Sequence, residues 1–143
     1  MSQANVISSI YTDLGKALMA VIESKYMYFG GRPDNIKADT KIDKFVVIEL
    51  PVSIEDIAAG RKKFVLNTTG VFYLFNKAKS DTTLNLTTTS QLIADVEALF
   101  PIVGDCCKAT NPKVLMRGAD GYGYQVTTIT FDLMTKANVF NQE

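Results

Sequence analysis

The stretch KFVLNTTGVFYLFNK, residues 63–77, decides the fold class of this chain. Its β-branched and aromatic residues predict one long strand, and Gly70 within it indicates a bulge or a bend. The second half of the strand is apolar on both faces. One face carries Phe72 and Leu74, and the other carries Val71, Tyr73 and Phe75. Because side chains alternate between the two faces of a strand, both faces of the sheet need cover here.

Two amphipathic helices flank the long strand in the sequence. Residues 5–25 carry apolar side chains at three- and four-residue steps, and Asp13 is assigned to the opposite, polar face. Residues 87–100 repeat this spacing, begin with Thr88 and Gln91 in a capping-box arrangement, and end before a proline. Each helix therefore has one apolar stripe that must pack against a sheet.

Three further strands complete the predicted sheet. Residues 45–50 form a β-branched run that ends at Pro51, and residues 113–117 and 122–136 form a hairpin. The turn of that hairpin is placed at 118–121, where Asp-Gly is the strong signal. The prediction is an α+β domain with element order α-β-β-α-β-β, a mainly antiparallel sheet, and both helices packed on one face.

The length and composition fit one domain over residues 1–143, with residues 1–4 and 137–143 as flexible ends. Fifteen basic residues balance fifteen acidic ones, so the chain has no long-range attraction to nucleic acid or to an anionic membrane. No apolar stretch approaches the ~20 residues of a membrane span, and the N-terminus lacks the pattern of a secretory signal. The sequence thus predicts a protein that stays in the cytoplasm where it is made.

The sequence contains none of the residue patterns that most enzymes require. There is no histidine, which excludes Ser–His and Cys–His nucleophile pairs. The glycines of 118–123 join two strands and open no helix, so they do not form a phosphate-binding loop. The neighbouring acids Glu55 and Asp56 lie in a polar loop, where such acids are ordinarily solvated. We therefore predict no catalytic residue, no metal site and no cofactor.

The two cysteines, Cys106 and Cys107, are adjacent in the sequence. A disulfide between neighbours closes a strained ring, and a metal site wants more ligands at wider spacing. Reduced, partly buried thiols are the favoured interpretation, and a redox-active pair of cysteines is the alternative.

The candidate subunit or partner contacts are Arg61, Lys62, Lys63, Val71, Tyr73 and Phe75. The first three form the densest run of charge in the chain. They either protect a strand edge in solvent, or contact an acidic partner or passing DNA. The last three lie on the second face of the long strand. Because helices on one side leave that face open, either a second sheet or a neighbouring subunit must cover it.

The order and lengths of these elements resemble those of the tail-terminator and tail-completion proteins of tailed bacteriophages, and of the related head–tail connector ring proteins. The resemblance covers most of the chain. It is carried by the helix at 5–25, the proline-ended strand at 45–50, the long strand at 63–77, the proline-ended helix at 87–100 and the long last strand at 122–136.

The resemblance implies a non-enzymatic structural protein of a virion, made and assembled in the host cytoplasm. Its copies would form a homo-oligomeric ring at the head–tail junction or at the top of the tail. The implied partners are further copies of the chain and neighbouring neck, portal or tail-tube proteins, with passive contact to passing DNA and none to a membrane. The long strands and the loop at 52–62 are the implied subunit contacts.

Two other functions stay open at the level of sequence. A small ligand-binding or regulatory domain, dimeric at most, would enclose a pocket between helices and sheet. An enzyme that uses carboxylates or a thiol would depend on acids such as Glu55 and Asp56, or on Cys106 and Cys107.

Overall fold

A computed structural model describes residues 3–33, 36, 41–50, 67–81 and 83–135. Over these ranges the chain forms a six-stranded sheet with two helices on one face, α1 (Gln3–Leu18) and α2 (Leu86–Glu97). The strands are β1 (Met27–Phe29), β2 (Lys44–Glu49), β3 (Asn67–Lys77), β4 (Ile102–Val103), β5 (Cys107–Ala119) and β6 (Tyr124–Thr135). The predicted α+β class and its element order are confirmed, with β1 and β4 as additional strands.

The strands follow the order β1-β2-β3-β6-β5-β4 across the sheet. β1 runs parallel to β2, and every other pair is antiparallel. β3 therefore lies inside the sheet, between β2 and β6. Its pairing with β6 runs without a shift from Asn67 to Lys77, so the bulge that Gly70 suggests in the sequence is wrong. Gly70 lies opposite Phe131, whose ring occupies the space that a side chain at Gly70 would fill.

The main core lies between the helices and one face of the sheet. α1 contributes Ile10, Leu14 and Leu18, and α2 contributes Leu92 and Val96, all of them buried. The strand residues that meet them are Val46, Ile48, Phe72, Leu74, Ile129, Phe131 and Leu133. The apolar parity that the sequence shows along β6 is thus the helix-facing one.

The first helix is shorter than predicted. α1 ends at Leu18, and the amides of Val21 and Ile22 then bond back to the Leu18 carbonyl in a turn. Ile22 still reaches the main core from this turn. The three- and four-residue spacing extends beyond α1 because residues before and after the turn are both buried in the main core. The spacing does not mark a continuous helix to residue 25.

The second helix begins with a different cap from the predicted one. Asn85 precedes α2, and its side chain accepts a hydrogen bond from the Thr88 amide at 3.4 Å. The predicted capping box is wrong because Thr88 already lies inside the helix. Gln91 instead donates to Asp95 one turn further along, at 2.7 Å. A single Asx cap thus starts the helix.

The last hairpin is longer than predicted at the β5 end. Residues 107–112 have loop character in the sequence because they include Asn111 and Pro112. The structure keeps them within β5 through a register irregularity between Thr110 and Lys113, where Asn111 adopts a positive φ of 56°. A bulge therefore absorbs the two strand-breaking residues.

Candidate functional site

Within the described part of the chain, β5 has a free sheet edge along most of its length. β4 pairs with it only at Lys108 and Ala109. From Thr110 onward, β5 has β6 on one side and no described strand on the other. Its residues are exposed from Lys113 through Ala119. An edge of this kind offers unpaired backbone N–H and C=O groups to an additional strand.

Three consecutive apolar side chains lie on this edge. Val114 is 38% exposed, Leu115 53% and Met116 48%. Val114 lies opposite Ile129 in the register and so shares the helix side of the sheet with Met116, while Leu115 lies on the far side. We call residues 113–117 the β5 edge. It is apolar on both faces at one place, as expected of a surface that pairs with another chain.

Charges and irregularities bound this apolar segment. Lys113 and Arg117 stand at its two ends, and register irregularities lie just before Lys113 and just after Met116. Cations and bulges are features that limit uncontrolled pairing at sheet edges. Between the two irregularities the residues keep regular antiparallel register with β6. The β5 edge can therefore accept a strand over a short and well-defined length.

Two of the predicted contact residues lie on the far side of the sheet. Val71 and Tyr73 are half-buried there. Tyr73 is in line with Leu115, because both lie opposite Thr128 in their respective pairings. Burial raises the pKa of Tyr73, and the nearby Glu49 carboxylate raises it further. The structure thus brings Tyr73 into one row with the β5 edge.

The third predicted residue on that side, Phe75, is covered by the chain itself. It is 7% exposed and stacks on Phe45 with ring centroids 4.4 Å apart. The guanidinium of Arg32 lies over both rings, 4.9 Å from the Phe75 centroid and 5.3 Å from that of Phe45. The buried members of this second core cluster are Ile36, Phe45, Val47, Phe75 and Tyr124. At this end of β3, the chain itself covers the second apolar face of the strand. No neighbouring subunit is required to explain that face here.

The β5–β6 turn holds Arg32 in place. Arg32 forms an ion pair with Asp120, and Asp120 Oδ1 also accepts from the amides of Tyr122 at 2.7 Å and Tyr124 at 3.0 Å. These bonds place the turn at 120–123, after the predicted 118–121. One carboxylate thus shapes the turn and fixes the cation over the second core cluster.

Several predicted features lie outside the described residues. They include Arg61, Lys62 and Lys63, the acids Glu55 and Asp56, and the segment 137–143. At the other end, the predicted flexible stretch 1–4 overlaps α1, which begins at Gln3.

The structure joins Asp13 to the two cysteines. Asp13, assigned from sequence to the polar helix face, is 7% exposed. Its Oδ2 accepts from the Cys106 amide at 2.8 Å and lies 3.0 Å from Cys106 Sγ and 3.7 Å from Cys107 Sγ. Both thiols are free and buried, so the predicted reduced thiols are more deeply buried than expected. The available signal was spacing, because Asp13 follows Ile10 by three residues on the buried stripe.

Opposing effects set the protonation of this cluster. Burial raises the pKa of Asp13, but hydrogen bonds from Cys106, from the Asp105 amide and from Cys107 outweigh it and lower the pKa below its ordinary value. The Cys107 thiol, burial and the Asp13 carboxylate all raise the pKa of Cys106. At neutral pH an ionised Asp13 therefore lies beside a protonated Cys106 thiol.

A surface cleft of about 350 Å³ lies where α1 ends, near the start of β2. It is lined by Val21, Ile22, Glu23, Tyr26, Lys41, Asp43 and Lys44. The cleft combines one apolar wall with charges of both signs. Its lining offers polar and apolar contacts to a small ligand.

Comparisons with known proteins bear on the fold. No protein-family model and no curated protein matches this chain. A solved structure whose description names no function matches with a TM-score of 0.59 and 13% sequence identity, covering 95% of this chain and 96% of that one. At this identity the likeness shows a shared fold alone. Among the described residues, no helix is long and apolar enough to cross a membrane.

Proposed function

We propose that the protein is a non-enzymatic structural component of a tailed-phage virion. Its copies form a homo-oligomeric ring at the head–tail junction or at the top of the tail, where it acts as a tail terminator or connector. The element order supports this, since α1, β2, β3, α2, β5 and β6 follow one another as in the resemblance drawn from the sequence. Its partners are then its own copies and the adjacent neck, portal or tail-tube proteins.

The observation that carries the proposal is the β5 edge. Val114, Leu115 and Met116 are exposed on a strand whose outer side meets no described strand. A ring requires a heterologous contact, in which one surface of a subunit meets a different surface of the next. An edge strand suits such a contact because backbone hydrogen bonds define both its direction and its register.

The opposite edge of the sheet offers a second surface for ring closure. It is formed by β1, whose last residue, Phe29, is 55% exposed. The β5 edge and β1 lie at opposite sides of the strand order, as head-to-tail contacts require. If two β5 edges paired with each other instead, the assembly would stop at a dimer. Ring and dimer are therefore distinguishable by mass.

The size of the β5 edge predicts how readily the ring forms. Stable protein interfaces bury roughly 1,200–2,000 Å² in total. One short strand edge supplies a small part of that area, so the contact is weak by itself. We expect assembly that depends on protein concentration, or that a neighbouring ring templates.

Sedimentation velocity over a concentration series tests the proposal. The protein is measured alone, and then with purified portal, neck and tail-tube proteins of a tailed phage. The expected result is one discrete oligomer larger than a dimer, present alone at high concentration or on addition of a neighbour. A chain that remains a monomer or a dimer under all of these conditions contradicts the ring.

The cleft beside α1 favours a second candidate, a small ligand-binding or regulatory domain. Two lysines and two acids line it together with Ile22, which suits a small ligand that carries both charges and an apolar part. A thermal-shift screen against metabolites tests this function. A saturable increase in melting temperature that Lys44→Ala abolishes would favour it over the ring.

A further inference from the structure

We infer that Asp13, Cys106 and Cys107 form a binding site for one thiophilic divalent cation of the zinc or cadmium class. The inference does not depend on the ring, because the site lies between α1 and the β4–β5 turn and not on the β5 edge. The three ligand atoms lie within 4.8 Å of one another, and all three residues are buried. Two thiolates and a carboxylate are a donor set that zinc accepts.

The distances fit a tetrahedral ion. Bond lengths to zinc of about 2.3 Å for sulfur and about 2.0 Å for oxygen place two sulfurs about 3.8 Å apart, and sulfur and oxygen about 3.5 Å apart. Asp13 Oδ2 lies 3.0 Å from Cys106 Sγ and 3.7 Å from Cys107 Sγ, on either side of that value. All three ligand atoms lie within 4.8 Å of one another, so shifts of about 1 Å would complete the geometry.

The local backbone explains how adjacent cysteines serve one site. Neighbours in a strand point to opposite faces, but Cys106 lies in a bend and only Cys107 begins β5. The Gly104 amide donates to the Cys107 carbonyl at 2.9 Å and closes the turn. Any side chain at Gly104 would collide with Asp13, so the glycine leaves room for the carboxylate. Both thiols can thus face Asp13.

An ion has a route to the site and a source for its fourth ligand. A cleft of about 250 Å³ reaches Asp13 and Cys106 from the surface, and Ser8 and Asp105 also line it. A second cleft of about 300 Å³, lined also by Ile102 and Gly104, reaches Asp13 as well. Zinc with three protein ligands ordinarily takes a water as the fourth, and the two clefts are wide enough to admit one.

The exchange of protons for the ion keeps the charge of the site constant. Cysteines bind zinc as thiolates, so a divalent cation that displaces two thiol protons leaves the net charge as it was with Asp13 ionised. A competing explanation is that Asp13 only anchors α1 to the turn through the Cys106 amide. If Asp13 has only this structural role, the protein binds no metal specifically. A metal titration therefore distinguishes the structural role from the metal site.

Cadmium titration of the full chain tests the site. Metal-free protein, kept reduced with a phosphine, is titrated with Cd²⁺ while the ultraviolet charge-transfer absorption of cadmium thiolates is followed, and Zn²⁺ is then added as a competitor. The expected result is saturation at one ion per chain, displacement by Zn²⁺, and a melting temperature that rises with ion concentration. A wild-type titration without saturation, or without thiolate absorption, overturns the inference.

Matched variants assign the ligands. Cys106→Ser and Cys107→Ser each weaken binding by more than about a hundredfold, and Asp13→Asn by more than about tenfold. Asp105→Asn, in the same cleft but with an exposed carboxylate, leaves affinity unchanged. Circular dichroism and a melting curve of each metal-free variant show whether it folds. If Asp105→Asn weakens binding while a folded Asp13→Asn binds like the wild type, the ion lies at the surface and the buried site is overturned.

Discussion

Arg32 and Asp120 form an ion pair between the segment after β1 and the β5–β6 turn, with side chains only 13% and 7% exposed. The guanidinium also lies 4.9 to 5.4 Å from the centroids of the rings of Phe45, Phe75, Tyr122 and Tyr124. Its Nε and Nη2 atoms find no hydrogen-bond partner among the described residues. The ion pair and the ring faces therefore compensate together for burying this cation.

Asp120→Ala is expected to destabilise the protein by about 3–5 kcal/mol, because it leaves Arg32 buried without its counter-ion. Chemical denaturation of the variant and the wild type measures the difference. Glu23→Ala is the control, since the Glu23–Lys25 pair has side chains that are 70% and 66% exposed, and it should have no measurable effect. Equal stability of the two variants would show that the buried pair contributes nothing.

Leu115→Asp is expected to abolish the proposed ring and leave a folded monomer, since a charge on the β5 edge would be buried without a partner in the contact. Sedimentation velocity and circular dichroism check the two parts of this statement. Leu86→Asp makes the same change at the start of α2, where the side chain is 61% exposed, and should assemble like the wild type. Assembly that survives Leu115→Asp excludes the β5 edge as the contact.

Gly70→Ala is expected to destabilise the protein by about 1–3 kcal/mol through overpacking. A Cβ at this position would lie 2.6 Å from two ring atoms of Phe131 and 3.1 Å from Leu50. Denaturant unfolding gives the change in free energy. Gly31→Ala is the matched control because a Cβ there meets no atom of the described residues within 4 Å, and its stability should equal that of the wild type within error.

Tyr73 is expected to make stability fall in alkaline solution. Burial and Glu49 raise its pKa in the folded state above the ordinary 10.0. Below pH 10 the phenol is neutral in both states, and above it the unfolded chain ionises first, so the free energy of unfolding falls as pH rises through the folded pKa. Unfolding of the wild type and of Tyr73→Phe across this range measures the contribution. Parallel pH profiles of the two proteins would contradict it.

Local sequence patterns are sufficient to predict a structural feature when that feature depends on a single helix or strand. In the sequence, Ile129, Phe131 and Leu133 alternate with polar residues and so mark the face of β6 that is buried, and the unbroken apolar run at 45–50 is typical of the internal strand that β2 is. Patterns misled where the outcome depends on a neighbour. Gly70 looked like a bulge because nothing local indicates that the ring of Phe131 lies against it.

The candidate sites likewise combine features that the local sequence shows with features that only tertiary contacts create. Val114, Leu115 and Met116 are apolar on both parities, which is the signal that identified β3, but the sequence does not reveal that β5 is an edge. Asp13 and Cys106 are far apart in the chain, and only the packing of α1 against the β4–β5 turn brings them together. The cover that Arg32 provides for Phe75 depends on Asp120 and is likewise a property of the tertiary structure.

The uninterrupted pairing of β3 with β6 also governs when the molecule can fold during synthesis. Asn67 pairs with Met134 and Lys77 with Tyr124. β3 therefore cannot pair with β6 until the ribosome has synthesised roughly fifty further residues. At common rates of translation this delay lasts several seconds, during which β3 lacks the neighbour that completes its ladder. Folding is thus necessarily late, and the β5 edge reaches its final position on the sheet only when β6 docks. In the proposed ring, a subunit can therefore offer its β5 edge to a neighbour only after β6 has been synthesised and has paired with β3.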